Sequence, residues 1–110
     1  DPSIFQVFSI TKDASYSGER VVKAGMCFRI YGKNLGFDFE DEKQGVFLAL
    51  KGDRKKAVRI TSFIRRTQRT IDAILPQDME KGVYTVLFVK KNGEGSYPVA
   101  NTTDEIEVIE

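Results

Sequence analysis

The side chains that most often carry out catalysis are scarce in this sequence, which contains no histidine and a single cysteine, Cys27. Without histidine, neither a Ser-His-Asp triad nor a Cys-His pair can form, and the commonest metal ligand is missing. One cysteine cannot form an internal disulfide or a structural zinc site. Because Cys27 lies two residues from Arg29, a neighbouring cation could lower its thiol pKa, but a small packed or semi-exposed residue is the interpretation we favour.

Several carboxylates are concentrated in one short stretch, which contains Asp38, Glu40, Asp41 and Glu42. Such a stretch suits a hard cation like calcium, but the Asp-x-Asp-x-Asp-Gly spacing of an EF-hand is absent, and a solvated loop is the interpretation we favour. Gly93-Glu94-Gly95 lacks the features of a phosphate loop and predicts a hairpin turn, and Asn101-Thr102-Thr103 matches a glycosylation acceptor. No nucleophile is paired with a base, so the sequence predicts no enzyme, no metal ion and no cofactor.

The basic residues, in contrast, are unevenly distributed. The segment between residues 51 and 69 carries net +7, whereas the other 9 basic and 15 acidic residues give the rest of the chain net −6. The basic segment comprises Lys51, Arg54, Lys55, Lys56, Arg59, Arg65, Arg66 and Arg69. These charges either protect an edge strand from aggregation or form a one-sided patch for an anionic partner such as DNA. Only one aromatic residue, Phe63, lies within the segment, so stacking on single-stranded bases is not expected.

Short runs of β-branched and aromatic residues recur along the chain between glycine-containing turns, and no window keeps helical spacing over ten residues. These runs predict seven or eight strands, and so many short strands indicate an all-β, immunoglobulin-like sandwich of two antiparallel sheets. The glycines are expected between strands, residues 51–56 in a loop, and residues 57–64 in the next strand. Alternation places nine side chains in or near the core, namely Phe28, Ile30, Val46, Leu48, Ile71, Leu75, Tyr84, Val86 and Phe88.

Tyr84 follows the turn that precedes the most strand-like segment of the chain. A tyrosine at this place can donate its hydroxyl to upstream backbone, as in a tyrosine corner. The alternative is a core tyrosine whose hydroxyl is hydrated.

The length of the chain suits one domain spanning residues 1–110. The sequence starts at Asp1 without a methionine, and we interpret it as a fragment of a longer protein. Its longest near-apolar run, from Val83 to Val89, is too short to cross a bilayer as a helix, so no membrane insertion is expected. The lack of a disulfide favours a cytoplasmic location, with secretion or the periplasm as the alternative.

Two stretches carry a family resemblance. The segment from Gly25 to Phe37 resembles the start of an IPT/TIG domain, an immunoglobulin-like module. Ile71 to Pro76, followed by Gly82-Val83-Tyr84-Thr85-Val86, resembles the later part of such a domain. Together with Gly45-Val46-Phe47-Leu48, these residues are similar to the immunoglobulin-like C-terminal domain, of unknown function, in Bacteroidetes proteins whose N-terminal half is an HU-like DNA-binding domain.

The narrower resemblance implies a non-catalytic accessory module of a nucleoid-associated protein. Such a module would position, dimerise or electrostatically assist the DNA-binding half. Its expected partners are DNA, through the parent protein or weakly through the basic segment, and a protein partner or a second copy of the chain. The broader resemblance implies the alternative, an extracellular or periplasmic spacer or binding module of a cell-surface protein.

Overall fold

The computed structural model describes residues 1–13, 15–16, 18–100 and 104–110, apart from the side chain of residue 54. This part of the chain contains ten strands and no helix. The strands are β1 (Ser3–Ile10), β2 (Val21–Lys23), β3 (Cys27–Lys33), β4 (Gly45–Leu50), β5 (Asp53–Arg59), β6 (Phe63–Arg66), β7 (Thr70–Ile74), β8 (Gly82–Val89), β9 (Val99–Ala100) and β10 (Glu105–Ile109).

The strands form two sheets. One sheet has four strands in the order β1-β3-β7-β6, and the other has six, in the order β2-β10-β8-β4-β5 with β9 also paired to β8. All pairs are antiparallel except β2 with β10, which run parallel over three residue pairs. The predicted all-β, two-sheet fold is therefore confirmed, with one parallel pair that the sequence pattern did not indicate.

The inward faces of both sheets share one apolar core. All nine side chains that alternation assigned to the core are buried, and seven of them are 0% exposed. The reason is the two-residue period of a strand, which points alternate side chains of β3, β4, β7 and β8 to the same side. Burial of each large apolar side chain contributes about 1.5–3 kcal/mol to folding.

Tyr84, at the start of β8, is buried, and its hydroxyl donates a 2.6 Å hydrogen bond to the carbonyl oxygen of Glu80. The tyrosine-corner interpretation is confirmed, because the acceptor lies in the turn that precedes the strand. We expect Tyr84→Phe to lower the free energy of unfolding by about 1 kcal/mol, since the Glu80 carbonyl loses this donor. Urea denaturation measures the change. Tyr31→Phe is the control, because Tyr31 is 41% exposed; equal midpoints for the two variants would contradict the expectation.

Two expectations about local structure are wrong. Residues 51–56 do not form a loop: β5 begins at Asp53, because Gly52 adopts a φ of +88° and permits a tight turn after β4. Residues 57–64 do not form one strand, because the chain leaves the six-stranded sheet after Arg59 and enters the four-stranded sheet at Phe63. Between the strands, the buried Ile60 donates its amide to the carbonyl of Val46.

Gly32 is a further correction, since it lies inside β3 rather than between strands. The predicted hairpin turn at residues 93–95 is confirmed: the side-chain oxygen of Asn92 accepts the amides of Glu94 and Ser96. The potential glycosylation acceptor at residues 101–103 lies outside the described residues. In the described part of the chain, no helix has the length and hydropathy needed to cross a bilayer.

Candidate anion-binding site

The basic segment lies along one side of the sandwich. Strand β5 is an edge strand of the six-stranded sheet, and β6 is an edge strand of the four-stranded sheet. Because only residues 60–62 join them, the two edges adjoin each other. The sequence-predicted site residues are therefore on one side of the molecule, but they follow the chain along two strands rather than converge on a single point.

The first half of the basic segment is compatible with edge protection. The pairing register shifts between Ala49–Ala57 and Leu50–Asp53, so residues 54–56 form an irregular part of the edge. Irregular, charged edges resist pairing with another sheet. Lys51 lies 3.3 Å from a carboxylate oxygen of Glu105, and Lys56 lies 3.7 Å from Glu80. The four side chains are between 39% and 64% exposed, and such solvent-accessible pairs contribute about 0–1 kcal/mol. The side chain of Arg54 is outside the described residues.

Arg59 has a structural task. Its guanidinium donates hydrogen bonds to the carbonyl oxygens of Gln44 (3.0 Å), Phe39 (2.9 Å) and Asp41 (3.2 Å). These bonds tie the end of β5 to the connection between β3 and β4. Three of its five N–H donors are thus occupied by backbone oxygens, which fixes the orientation of the guanidinium. Arg59 therefore positions its neighbours. Among the described side chains of the basic segment, the exposed cations that form no ion pair are Lys55, Arg65, Arg66 and Arg69.

An aromatic cluster lies beside Arg66 and was not predicted from the sequence. The guanidinium carbon of Arg66 is 4.4 Å from the ring centre of Phe39, 5.5 Å from that of Phe63 and 5.8 Å from that of Phe37. Arg59 lies 5.2 Å from the ring of Phe39 on the same cluster. Cation–π contacts of this kind hold the planar group of an arginine in place.

The connection between β3 and β4 brings two of these rings to the site. The amide of Leu35 donates to the carbonyl of Gln68 at 2.9 Å, and the amide of Gly36 donates to the Gln68 side chain at 3.1 Å. Leu35 is buried in the core, which fixes the chain just before Phe37. Gly45 has a φ of +124°, and a Cβ there would stand 3.0 Å from the Phe37 ring. The sequence signal that could have revealed this cluster is Phe-x-Phe directly after a glycine turn.

These elements enclose an open groove of about 410 Å³ on the side of the sandwich. We call it the Arg66 groove; its lining includes Leu35, Phe37, Phe63, Ile64, Arg65 and Arg66. Phe37 and Phe63 pack against the core, whereas Ile64 is 43% exposed. In the described part of the chain, neither Arg65 nor Arg66 forms an ion pair with a carboxylate. The groove thus combines the apolar side chains of Phe37, Phe63 and Ile64 with the cationic group of Arg66.

The acidic stretch has a structural role in the same loop. Asp41 accepts hydrogen bonds from the side chain of Gln44, the amide of Lys43 and the hydroxyl of Tyr97. The bonds from Gln44 and from the Lys43 amide hold the pKa of the Asp41 carboxyl below its usual value. Among the described residues, no group of three or more His, Cys, Asp or Glu side chains could hold a metal ion.

Cys27 is buried on the outer face of the four-stranded sheet, where it packs with Phe8, Ile10 and Ile74. The lowered thiol pKa that a neighbouring cation could have produced is not found. Burial raises the pKa of the Cys27 thiol, and the opposing effect of Lys12 is smaller. A thiol with 1% exposure and a raised pKa is a poor nucleophile, and the favoured interpretation of a small packed residue is confirmed.

The crystal structure of a candidate bacterial DNA-binding protein from Bacteroides vulgatus has a similar fold, with a TM-score of 0.73 and 19% sequence identity. The similarity covers 96% of this chain but only 46% of that protein, so the chain spans less than half of its length. No curated protein shows a significant sequence match to the chain. Residues 6–104 match the model of a family described as a domain of unknown function (DUF4469) with an Ig-like fold. The chain therefore belongs to this family of Ig-like domains of unknown function.

Proposed function

We propose that this domain is a non-catalytic accessory module of a longer, cytoplasmic DNA-binding protein, in which it positions or electrostatically assists the DNA-binding half. The observation that carries the proposal is the shared fold with a domain-sized part, under half, of a candidate DNA-binding protein. The HU-like resemblance of the sequence points in the same direction. The basic segment along β5 and β6 supplies the physical means, since Lys and Arg side chains on one side of a protein attract the phosphate backbone.

Contacts of this kind depend on charge and not on base sequence. Each phosphate that a cation neutralises releases a condensed counterion, so affinity falls steeply as the salt concentration rises. We therefore expect the domain to bind heparin and duplex DNA weakly at low salt, without sequence preference, and to lose nearly all binding at physiological salt. The four exposed cations at the site make the largest contribution, because Arg59 is occupied by carbonyl oxygens.

The test compares two charge-reversal variants by elution from heparin. The first replaces Arg65, Arg66 and Arg69 with Glu and should abolish retention. The second replaces Lys12, Lys23 and Lys81 with Glu; these side chains are exposed and lie outside the basic segment. Both variants change the net charge by the same amount, so the control should keep most of its retention. Equal losses would assign binding to net charge alone, and no retention of the unmodified domain at low salt would contradict the electrostatic role.

A further inference from the structure

We propose that the Arg66 groove is a binding site for single-stranded nucleic acid, which takes one phosphate on Arg66 and one base against the side chains of Phe37, Phe63 and Ile64. This inference rests on the proposed function and narrows it from charge alone to a defined site. It also differs from the sequence-based prediction, in which stacking on single-stranded bases was not expected. That expectation counted only Phe63 within the basic segment, whereas the fold adds Phe37 and Phe39 from the connection between β3 and β4.

Arg66 provides the part of the site that binds phosphate. Arg66 lies over the rings of the aromatic cluster, 4.4 Å from the Phe39 centre, and remains exposed. Contact with rings orients its guanidinium before any ligand arrives, so less entropy is lost when it binds phosphate. Arg65 pairs in register with Asp72 of β7, which lies on the outer face of the sheet, whereas Arg66 pairs with the core residue Ile71, so the two arginine side chains point to opposite faces of β6. Arg66 is therefore the cation that faces the aromatic cluster of the groove, and it forms no ion pair within the described residues.

The apolar side chains of the groove provide the part of the site that contacts a base. A site made only for phosphate has no need of apolar side chains, yet Phe37, Phe63 and the partly exposed Ile64 line the same groove as Arg66. The volume of about 410 Å³ falls within the range of roughly 300–1,000 Å³ for sites that accept small organic groups. Aromatic side chains beside a positively charged groove are the usual arrangement in proteins that bind single strands.

The preference between single-stranded and duplex nucleic acid distinguishes binding in the groove from attraction by charge alone. In a duplex the bases are stacked on each other and only their edges are accessible, so a base cannot enter the Arg66 groove of the protein. A single strand can turn a base outward. Charge alone has the opposite preference, because a duplex carries more phosphates per unit length than a single strand. A domain that binds through charge alone should therefore prefer the duplex, and a domain that uses the groove should prefer the single strand.

The experiment measures fluorescence anisotropy of labelled oligothymidine of about twelve nucleotides, a typical length for one binding unit, and of a duplex of equal length at low salt. We expect the single strand to bind at least about fivefold more tightly. Phe37→Leu keeps an apolar side chain but removes a ring, and should eliminate most of this preference. Arg66→Lys keeps the charge but loses the planar group, and should weaken single-strand binding while heparin elution stays almost unchanged. Thermal unfolding of both variants checks that they fold.

Phe5→Leu is the matched control, because it also removes a ring but from the 52% exposed Phe5 on β1, outside the groove. It should leave the preference intact. Duplex binding equal to or tighter than single-strand binding overturns the groove site and leaves the charge-based function standing. Absence of binding to heparin and to both nucleic acids overturns both. A peptide of alternating glutamate and phenylalanine that binds more tightly than oligothymidine also overturns the proposal and assigns the groove to a protein partner.

Discussion

Gly32→Ala is expected to destabilise the domain by roughly 3 kcal/mol. Gly32 lies in β3 opposite Ile4 of β1, and the two strands approach each other closely at this pair. A Cβ on Gly32 would overlap the carbonyl oxygen of Ser3 and would lie 3.1 Å from its carbonyl carbon and 3.2 Å from the Cα of Ile4. These are backbone atoms and cannot rotate away, so β1 has to move outward and lose packing against the core.

Gly93→Ala is the matched control for this substitution, because a Cβ on Gly93 meets no atom within 4 Å. It should change the free energy of unfolding by less than about 1 kcal/mol, in the stabilising direction, because alanine restricts the unfolded chain. Urea denaturation of both variants gives the comparison. A Gly32→Ala midpoint close to that of the unmodified domain would show that β1 yields at little cost, in contradiction to the close approach of the strands.

Arg29→Met is expected to cost a similar amount, roughly 3 kcal/mol. Asp72 is completely buried although it lies on the outer face of the four-stranded sheet, and its two carboxylate oxygens accept bonds of 2.7 and 3.0 Å from Arg29. The same bonds raise the pKa of Arg29, as expected for a cation next to a carboxylate. Methionine fills part of the space but leaves a buried carboxylate without this cation, and an uncompensated buried charge is strongly destabilising.

A double variant distinguishes the loss of charge compensation from the loss of packing. If the buried carboxylate causes the cost, Arg29→Met combined with Asp72→Leu should recover most of the stability, since an apolar pair often replaces a buried ion pair without loss. Lys51→Met is the surface control. It breaks an ion pair whose side chains are 64% and 39% exposed, and should cost less than about 1 kcal/mol. A double variant as unstable as Arg29→Met alone would show that packing of the arginine, and not its charge, is responsible.

The sequence by itself determined the class of fold and most of the core. Alternation within a strand is a local property, so Phe28 and Ile30 in β3, or Val86 and Phe88 in β8, could be assigned to the same face without knowledge of their partners. The tyrosine corner was also readable, because Tyr84 and its acceptor Glu80 are four residues apart. The uneven distribution of charge also identified the basic segment from the sequence, because its residues are close together along the chain.

Features that depend on contacts between distant parts of the chain were decided only by the tertiary structure. Phe37 and Arg66 are almost thirty positions apart, and they meet because the chain crosses from one sheet to the other between β5 and β6. The exclusion of a substituent at Gly32 depends on the register with β1, and the burial of Asp72 depends on Arg29 from a neighbouring strand. Strand order and register are set by the packing of the whole core, and periodicity within one strand contains no information about its neighbours.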